Sequence, residues 1–255
     1  METIQQQIMA MQEEIKRLRE ELEVVKKGDF DTITCKTWNV IDADGIERIT
    51  AFTNSDGTAS VQWLDKDEKM RISASTLVDG TARVFWYDKD EKGRIGAGIL
   101  ADGEASVTWF DKDGKMRIDA FTLADGQAGV TWLDKDETQR IEASTKADGD
   151  ASVTLSDKDD KLRIDAATLA NGNARVLWLD KDEKLRIAAD TDADGNSAVA
   201  WLDTDGKLRI NASTLDGFAS VSLGDNNEKI RIAAATLPDG TVCLPTEDRN
   251  PLKKP

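Results

Sequence analysis

The sequence predicts an all-β repeat protein with an N-terminal helix: a parallel trimeric coiled coil followed by a triangular β-prism built from 23-residue two-strand repeats. Three observations predict it. Apolar heptads run through positions 1–27, an Arg-Ile pair recurs nine times from Arg48 to Arg231, and apolar residues occupy every second position between these pairs. We therefore divide the chain into a coiled-coil helix at 1–27, about nine repeats forming the prism at 28–244, and a C-terminal tail at 245–255.

The N-terminal helix is predicted from two interleaved sets of apolar residues, each recurring every seven positions. Heptad position a is held by Ile8, Ile15 and Leu22, and heptad position d by Ile4, Met11, Leu18 and Val25. A parallel pairing places Glu14 against Arg19 and Glu21 against Lys26, whereas an antiparallel pairing opposes like charges. β-Branched residues at d favour a trimer over a dimer. The alternative is a single amphipathic helix docked on the sheet.

The repeat is counted from its arginine, taken as position 0. Eight arginines from Arg48 to Arg209 recur at every twenty-third position, and Arg231 comes one position early because the turn TLDG is one residue short. Position 1 is Ile and position 3 is Ala in all nine copies, and position 5 is Thr except at Ile99. After an Asp-Gly or Asn-Gly turn, position 11 is Ala or Ser, position 13 is Val and position 15 is mostly Trp. An acidic segment such as DKDEK ends the unit.

This spacing predicts strands. Apolar residues at positions 1, 3 and 5 and at 11, 13 and 15 have the period of two that places them all on one face of a strand. Asp-Gly between two such runs indicates a hairpin, because glycine accepts a positive φ. We therefore expect a meander of roughly 18 short strands. Its odd positions form one continuous apolar face, and its even face carries an arginine ladder and polar residues.

The assembly follows from the need to cover this apolar face. A four-stranded propeller blade would need a 46-residue period with two different halves, and a sandwich would need a long crossover that the chain lacks. Three identical sheets around a common axis meet the need directly. Alanine fits the narrow space near a threefold axis, and tryptophan lies nearer the edge of each sheet. The expected rod is about 120 Å long, with roughly 85 Å of prism and about 36 Å of helix.

The heptads of the helix and repeats such as DKDGKMR at 111–117 carry a resemblance. The pattern resembles the stalks of bacteriophage tail fibres and bacterial trimeric surface fibres, and bacterial repeat proteins with DKDGK units. The resemblance implies a non-enzymatic homotrimeric fibre or spacer of a phage tail, injection device or bacterial surface assembly. Its expected partners are other copies of the chain and an attachment protein at one end. The alternatives are an adhesive or carbohydrate-binding module, a calcium-stabilised repeat protein and a tailspike-like glycosidase.

Composition excludes other functions. The formal net charge is -15 and the sequence pI about 4.5, which argues against nucleic acid as a partner. No apolar run approaches the ~20 residues that span a bilayer, and no secretory signal is recognisable. We therefore expect that the protein is synthesised in the cytoplasm and does not insert into a membrane. The fibre interpretation would place the product in a virion or an extracellular assembly. Histidine is absent, which removes the commonest general base and metal ligand. We predict no catalytic residue and no cofactor.

The acidic turns are the one place where a metal is conceivable, because calcium favours clustered carboxylates. The candidate ligands are Asp65, Asp67, Asp111, Asp113, Asp203 and Asp205. Lys115 and Met116 stand where a calcium loop needs other residues, so we predict solvated turns without metal, whose acids pair with lysines and with the arginine ladder. The tryptophans share parity with the apolar positions and are predicted to be core residues. Cys35 and Cys243 are predicted to lie too far apart for a disulfide.

Overall fold

A computed structural model of the chain describes residues 4–27 and 35–244, without the side chains of residues 4, 5, 21 and 24–27. It contains one helix, α1 (Ile4–Lys27), and 19 strands. The strands are β1 (Thr37–Ile41), β2 (Glu47–Thr53), β3 (Ala59–Leu64), β4 (Met70–Thr76), β5 (Ala82–Tyr87), β6 (Gly93–Ile99), β7 (Ala105–Phe110), β8 (Met116–Thr122), β9 (Ala128–Leu133), β10 (Gln139–Thr145), β11 (Ala151–Ser156), β12 (Leu162–Thr168), β13 (Ala174–Leu179), β14 (Leu185–Thr191), β15 (Ser197–Leu202), β16 (Leu208–Leu215), β17 (Phe218–Gly224), β18 (Ile230–Thr236) and β19 (Val242–Cys243).

Helix α1 forms where the heptads predict it, since no glycine or proline interrupts its sequence. Its apolar stripe is uncovered: Ile8, Ile15 and Leu22 expose 48–51% of their surface. No described residue of α1 contacts a strand, so the alternative of a helix docked on the sheet is not what the structure shows. The predicted contacts of Ile4, Glu21, Val25 and Lys26 fall outside the described side chains, as the tail 245–255 and residues 28–34 fall outside the described chain.

Every strand pairs antiparallel with the next strand along the chain, so that β1 and β19 are the two edges of a single sheet. The predicted meander with two strands per repeat is confirmed, and the two-residue β19 is the strand beyond the predicted 18. The sheet has no second layer, and no apolar side chain among the described residues is buried. The accessible surface is 18170 Å², against about 11,100 Å² for a compact chain of this mass. The predicted coiled coil and prism would each require several chains, and a single chain does not test them.

The Asp-Gly turns close hairpins as predicted. Leu77 donates its N–H to the Thr81 carbonyl at 2.8 Å, and Gly80 donates to the Leu77 carbonyl at 3.0 Å with a φ of 92°. The acidic turns have the same geometry, but Glu68 occupies the left-handed position with a φ of 60°. Five other acidic turns also place a non-glycine residue there, which is strained for an L-residue. Both ends of the strands therefore use the same turn.

The shortened repeat absorbs its missing residue within a turn. Leu215 pairs directly with Phe218, and Asp216 and Gly217 between them have φ values of 48° and 81°. Two successive residues with positive φ are typical of the two-residue type I′ turn. The register on either side is preserved, since Ala212 pairs with Val221 as alanine pairs with valine in the other repeats.

A β-bulge occurs at the arginine of every repeat. In the first complete unit Trp63 pairs with Ile72 and Leu64 with Met70, so that Arg71 between them has no direct cross-strand partner. The same shift occurs at each of the other eight arginines. Because the extra residue of a bulge leaves the ladder, the guanidinium is free to turn back towards the acidic turn.

The odd positions form three rows across the sheet, which together we call the apolar face. The middle row alternates alanine and valine, as in the pairs of Val107 with Ala97 and Ala120. One flanking row alternates threonine with alanine. The other, the isoleucine–tryptophan row, is formed by Ile49, Trp63, Ile72, Trp86, Ile95, Trp109, Ile118, Trp132, Ile141, Leu155, Ile164, Trp178, Ile187, Trp201, Ile210, Leu223 and Ile232.

Candidate functional site

The acidic turn is organised around its first aspartate. One carboxylate oxygen of Asp65, Oδ1, accepts the N–H groups of Asp67 at 2.8 Å and Lys69 at 3.1 Å. The other oxygen, Oδ2, accepts the Arg71 guanidinium. An aspartate that bonds the backbone two and four residues ahead stabilises a turn locally, because its side chain replaces a backbone acceptor. The carboxylate therefore holds the turn and the arginine together.

This arrangement recurs in every acidic turn, along the row of turns at one end of the strands. Each arginine bonds the aspartate six residues before it, as Arg94 does with Asp88 at 2.6 Å. The remaining pairs are Arg48–Asp42, Arg117–Asp111, Arg140–Asp134, Arg163–Asp157, Arg186–Asp180, Arg209–Asp203 and Arg231–Asp225. The sequence predicted that acids of the turns pair with the arginine ladder, but as pairs across strands. The structure corrects that geometry: the partner lies within the same hairpin, because the bulge directs the arginine to its own turn.

These contacts favour the charged carboxylate. Partial removal from water raises the pKa of the Asp65 carboxyl, but the N–H groups of Lys69 and Asp67 and the Arg71 guanidinium outweigh it and hold the pKa at about 2. At Asp180 the same opposing effects, with the Arg186 guanidinium as the strongest lowering contribution, also give a pKa of about 2. The pKa values of the first aspartates of the other acidic turns shift in the same direction.

Successive acidic turns are also bonded to one another. The Nζ of Lys115 donates to the Lys135 carbonyl at 2.7 Å, and the Nζ of Lys161 to the Lys181 carbonyl at 3.0 Å. The Met116 N–H donates to Oε1 of Glu137 at 3.2 Å. Each repeat is thus coupled to the next through its acidic turn, as in other linear repeat proteins, where each unit contacts its neighbours.

Five of the six candidate metal ligands are occupied by protein donors. The carboxylates of Asp65, Asp111 and Asp203 each bond an arginine. Asp67 contacts Nζ of Lys66 at 2.8 Å, and Asp113 contacts Nζ of Lys112 at 2.7 Å. Asp205 donates its N–H to Asp203. Across residues 4–27 and 35–244, no three His, Cys, Asp or Glu side chains are grouped so as to hold a metal ion.

The low aspartate pKa values predict acid sensitivity. Because the folded pKa of Asp65 and Asp180, about 2, lies below the value of 3.8 for an unperturbed carboxyl, the unfolded chain binds protons first as the pH falls. Their stabilising contribution is present above about pH 4 and is lost between about pH 4 and pH 2. Thermal melts followed by circular dichroism should show a constant Tm from pH 7 to pH 5 and a steep fall below pH 4.

A pair of substitutions assigns this effect to the turn contacts. Asp180→Asn should lower the Tm at pH 7 and reduce its loss between pH 4 and pH 2, because the arginine loses its charged partner. Asp205→Asn is the matched control, since its carboxylate accepts no hydrogen bond from a described residue. If the two variants have the same Tm at pH 7 and lose it equally between pH 4 and pH 2, the turn contacts are not the cause of the acid sensitivity.

The apolar face has no partner among the residues that the structure describes. Trp86, Trp109 and Trp132 expose 37–38% of their surface, so the tryptophans predicted as core residues are not buried within one chain. A groove of about 1640 Å³ runs along the face from β3 to β15. Its lining includes the alanine–valine and threonine–alanine rows, for example Val107 and Ala120, together with the residues that lie between these rows along each strand. A face of this composition favours contact with another apolar surface.

The two cysteines lie at opposite ends of the strand order. Cys35 precedes β1 and Cys243 lies in β19, at opposite edges of the sheet, and both are free and exposed. In the part of the chain that the structure describes, no helix is both long and apolar enough to cross a bilayer.

Comparisons with known proteins identify no family. No protein-family model and no curated protein matches the chain. Among solved structures, the TCP domain of Drosophila melanogaster SAS-4, in complex with a proline-rich motif of Ana2, is 11% identical with a TM-score of 0.28, over 86% of this chain and 95% of that one. The TcdB2–TccC3–Cdc42 structure is 11% identical with a TM-score of 0.21, over 79% of this chain and 14% of that one. Likenesses this low carry no information on function.

Proposed function

We propose that the chain is a non-enzymatic structural protein that works as a homotrimeric fibre or spacer, of the kind used in a phage tail, an injection device or a bacterial surface assembly. The observation that carries the proposal is the uncovered apolar face, which runs through all nine repeats in a constant pattern. The surface excess of about 7,000 Å² over a compact chain exceeds what obligate interfaces commonly bury. A sheet that repeats one pattern from end to end is extended along one direction, which suits a spacer.

The order of the three rows supports three copies around an axis. A six-residue strand is about 20 Å long. Three such sheets arranged as a triangle leave about 6 Å between the axis and the middle of each sheet, close to half the ~10 Å spacing of stacked sheets. The middle row carries alanine and valine, including Ala120 and Val107, while the larger Ile and Trp side chains lie to one side of it. The smallest apolar residues thus stand where a prism has least room.

Helix α1 independently supports an assembly of several copies. Ile8, Met11, Ile15, Leu18 and Leu22 form an exposed apolar stripe on an isolated helix. Helices in proteins gain most of their stability from packing of such a face, and an unpacked helix is marginal in water. Packing three parallel copies through the a and d positions would bury the stripe and bring three sheets into register. The polar acidic turns would then lie along the corners of the prism, where they remain solvated.

The molecular mass in solution tests the proposal. One chain has a mass of 28.0 kDa, and light scattering on the purified protein should give three times this value. Negative-stain images should show rods of about 120 Å. A stable monomer would contradict the assembly, and a dimer would contradict the prism.

A further inference from the structure

Arg83 is the one arginine of the sheet without a carboxylate partner in the part of the chain that the structure describes. Nine others pair with the first aspartate of an acidic turn, and Arg175 pairs with Asp165 at 2.9 Å. Arg83 lies in β5 at an even position of its repeat, on the face opposite the apolar face, and it is exposed. It therefore carries a positive charge without an acidic partner, in a chain whose formal net charge is -15.

Contacts on two sides hold the Arg83 side chain in place. Its Nε donates to Ser75 Oγ at 3.2 Å, and its guanidinium carbon lies 6.0 Å from the centre of the Phe85 ring. The Phe85 ring lies against Gly96, its cross-strand partner, where a Cβ atom would come within 2.8 Å of the ring. No described residue accepts a hydrogen bond from Nη1 or Nη2 of Arg83. The N–H groups of both nitrogens thus remain, in the planar arrangement that binds a carboxylate through two parallel hydrogen bonds.

Arg175 shows which group completes such an arrangement. It occupies the same position 12 as Arg83, in a repeat further along the chain. Its Nη2 donates to Oδ2 of Asp165 at 2.9 Å, and Asp190 lies directly opposite it on the next strand. Asp165 is buried, because the arginine compensates its charge and allows it to leave water. Two carboxylates therefore adjoin the guanidinium of Arg175.

Both of these acids are replaced by uncharged residues around Arg83. The residue equivalent to Asp165 is Ser73, at position 2 of the repeat. The residue equivalent to Asp190 is Gly98, which lies directly opposite Arg83 and has no side chain. The chain thus contains one arrangement twice, once with its acids and once with an unpaired guanidinium. The internal comparison identifies a carboxylate as the group that this guanidinium accommodates.

We infer that Arg83 binds the carboxylate of an acidic saccharide. The other groups beside it on β4 and β5 are hydroxyls and aromatic rings. Ser73 Oγ and the Tyr87 hydroxyl lie 3.3 Å apart, and the centre of the Tyr87 ring is 6.3 Å from that of Phe85. Such hydroxyls exchange hydrogen bonds with sugar hydroxyls, and aromatic rings pack against the apolar faces of sugar rings.

The position of the site within the sheet favours a saccharide over an acidic peptide. Strands β4, β5 and β6 each pair with a neighbour on both sides, so a peptide backbone finds no unpaired strand edge to which it could add. The inference goes beyond the proposed spacer function. The site lies on the face opposite the apolar face, so it stays accessible whether or not the chains assemble as a prism.

The test is isothermal titration calorimetry of the full-length protein with a trisaccharide of galacturonic acid. We expect saturable binding of one trisaccharide per chain. The fully methyl-esterified trisaccharide has the same sugar rings without the negative charges, and it should bind about tenfold or more weakly because it cannot form charge-assisted hydrogen bonds with the guanidinium.

Three variants, each of which makes the chain more negative by one charge, assign the binding to Arg83. Arg83→Gln removes the guanidinium. Ser73→Asp supplies, within the chain, the carboxylate that Arg175 already has. Both should weaken trisaccharide binding about tenfold or more. Asn211→Asp is the matched control and should bind as the wild type does, since Asn211 occupies the position of Ser73 in a repeat whose neighbouring strands contain no arginine.

Four results would overturn the inference. If the trisaccharide does not bind, the guanidinium takes no saccharide carboxylate. If the acid and its ester bind equally, the carboxylate is not what is recognised. If all three variants lose affinity equally, the effect is one of net charge and not of Arg83. If an oligoglutamate peptide binds as tightly as the trisaccharide, the partner is an acidic peptide. A monomeric mass with intact binding that depends on Arg83 would refute the spacer function and leave this site standing, so the two failures are distinguishable.

Discussion

Replacing Ala120 by leucine is expected to lower the Tm by about 2–6 °C. Ala120 lies mid-strand in the middle row, paired with Val107 and Val130. In the proposed prism that row faces the axis, where three added leucines must share one narrow layer. Overpacking typically costs ~1–3 kcal/mol at each site, and the threefold axis repeats the cost three times. Differential scanning calorimetry of the trimer measures the change.

Ser106→Leu is the matched control for this prediction. Ser106 lies on the opposite face of the neighbouring strand, exposed and paired with Gly98 and Phe121. It gains the same side chain outside the proposed interior, so its Tm should change by less than a third of the Ala120 effect. If the Tm of the Ala120 variant equals that of the wild type, the middle row does not face a crowded axis, and the prism is wrong.

Ile15→Asp is expected to abolish the proposed coiled coil. In the proposed trimer the substitution would place three carboxylates in one apolar layer, and charged groups buried without partners are strongly unfavourable. Because a helix without packing partners is marginal in water, the loss of packing should also unfold α1. We expect a large loss of the helical circular dichroism signal, and a mass distribution in light scattering that falls below the mass of the trimer.

Lys16→Asp introduces the same residue one position further along the helix. Lys16 lies outside the a and d positions and is exposed, so this variant should keep the helical signal and the trimeric mass. If both variants behave alike, the apolar stripe of α1 does not mediate assembly.

Much of the fold could be predicted because it depends on short-range patterns. The period of two determines which residues share a face, and Asp-Gly predicts the hairpins, as the turn at Gly80 confirms. The shortened repeat was correctly placed in a turn, although the change to a two-residue turn at Asp216 and Gly217 was not foreseen. These features need only neighbouring residues, so a single sequence contains them.

The arginine site could be predicted only in part. The acids and the arginine ladder were recognised as partners, but the bulge at Arg71 breaks the alternation on which the cross-strand assignment depended. The signal was present as a constant six-residue spacing from Asp65 to Arg71, which matches a turn aspartate reaching the end of its own hairpin.

The sequence by itself determined the repeat, the strands, the turns and the parity of every apolar residue, because each depends on backbone preferences over a few residues. The tertiary structure decided how these parts meet. It shows that the 19 strands form one layer in chain order, that α1 contacts no strand in the described chain, and that no residue of the isoleucine–tryptophan row is buried in a single copy. The physical reason is that burial is a property of surfaces in contact: a pattern of apolar residues predicts that a face will be covered, and only the arrangement of strands shows whether one chain can cover it.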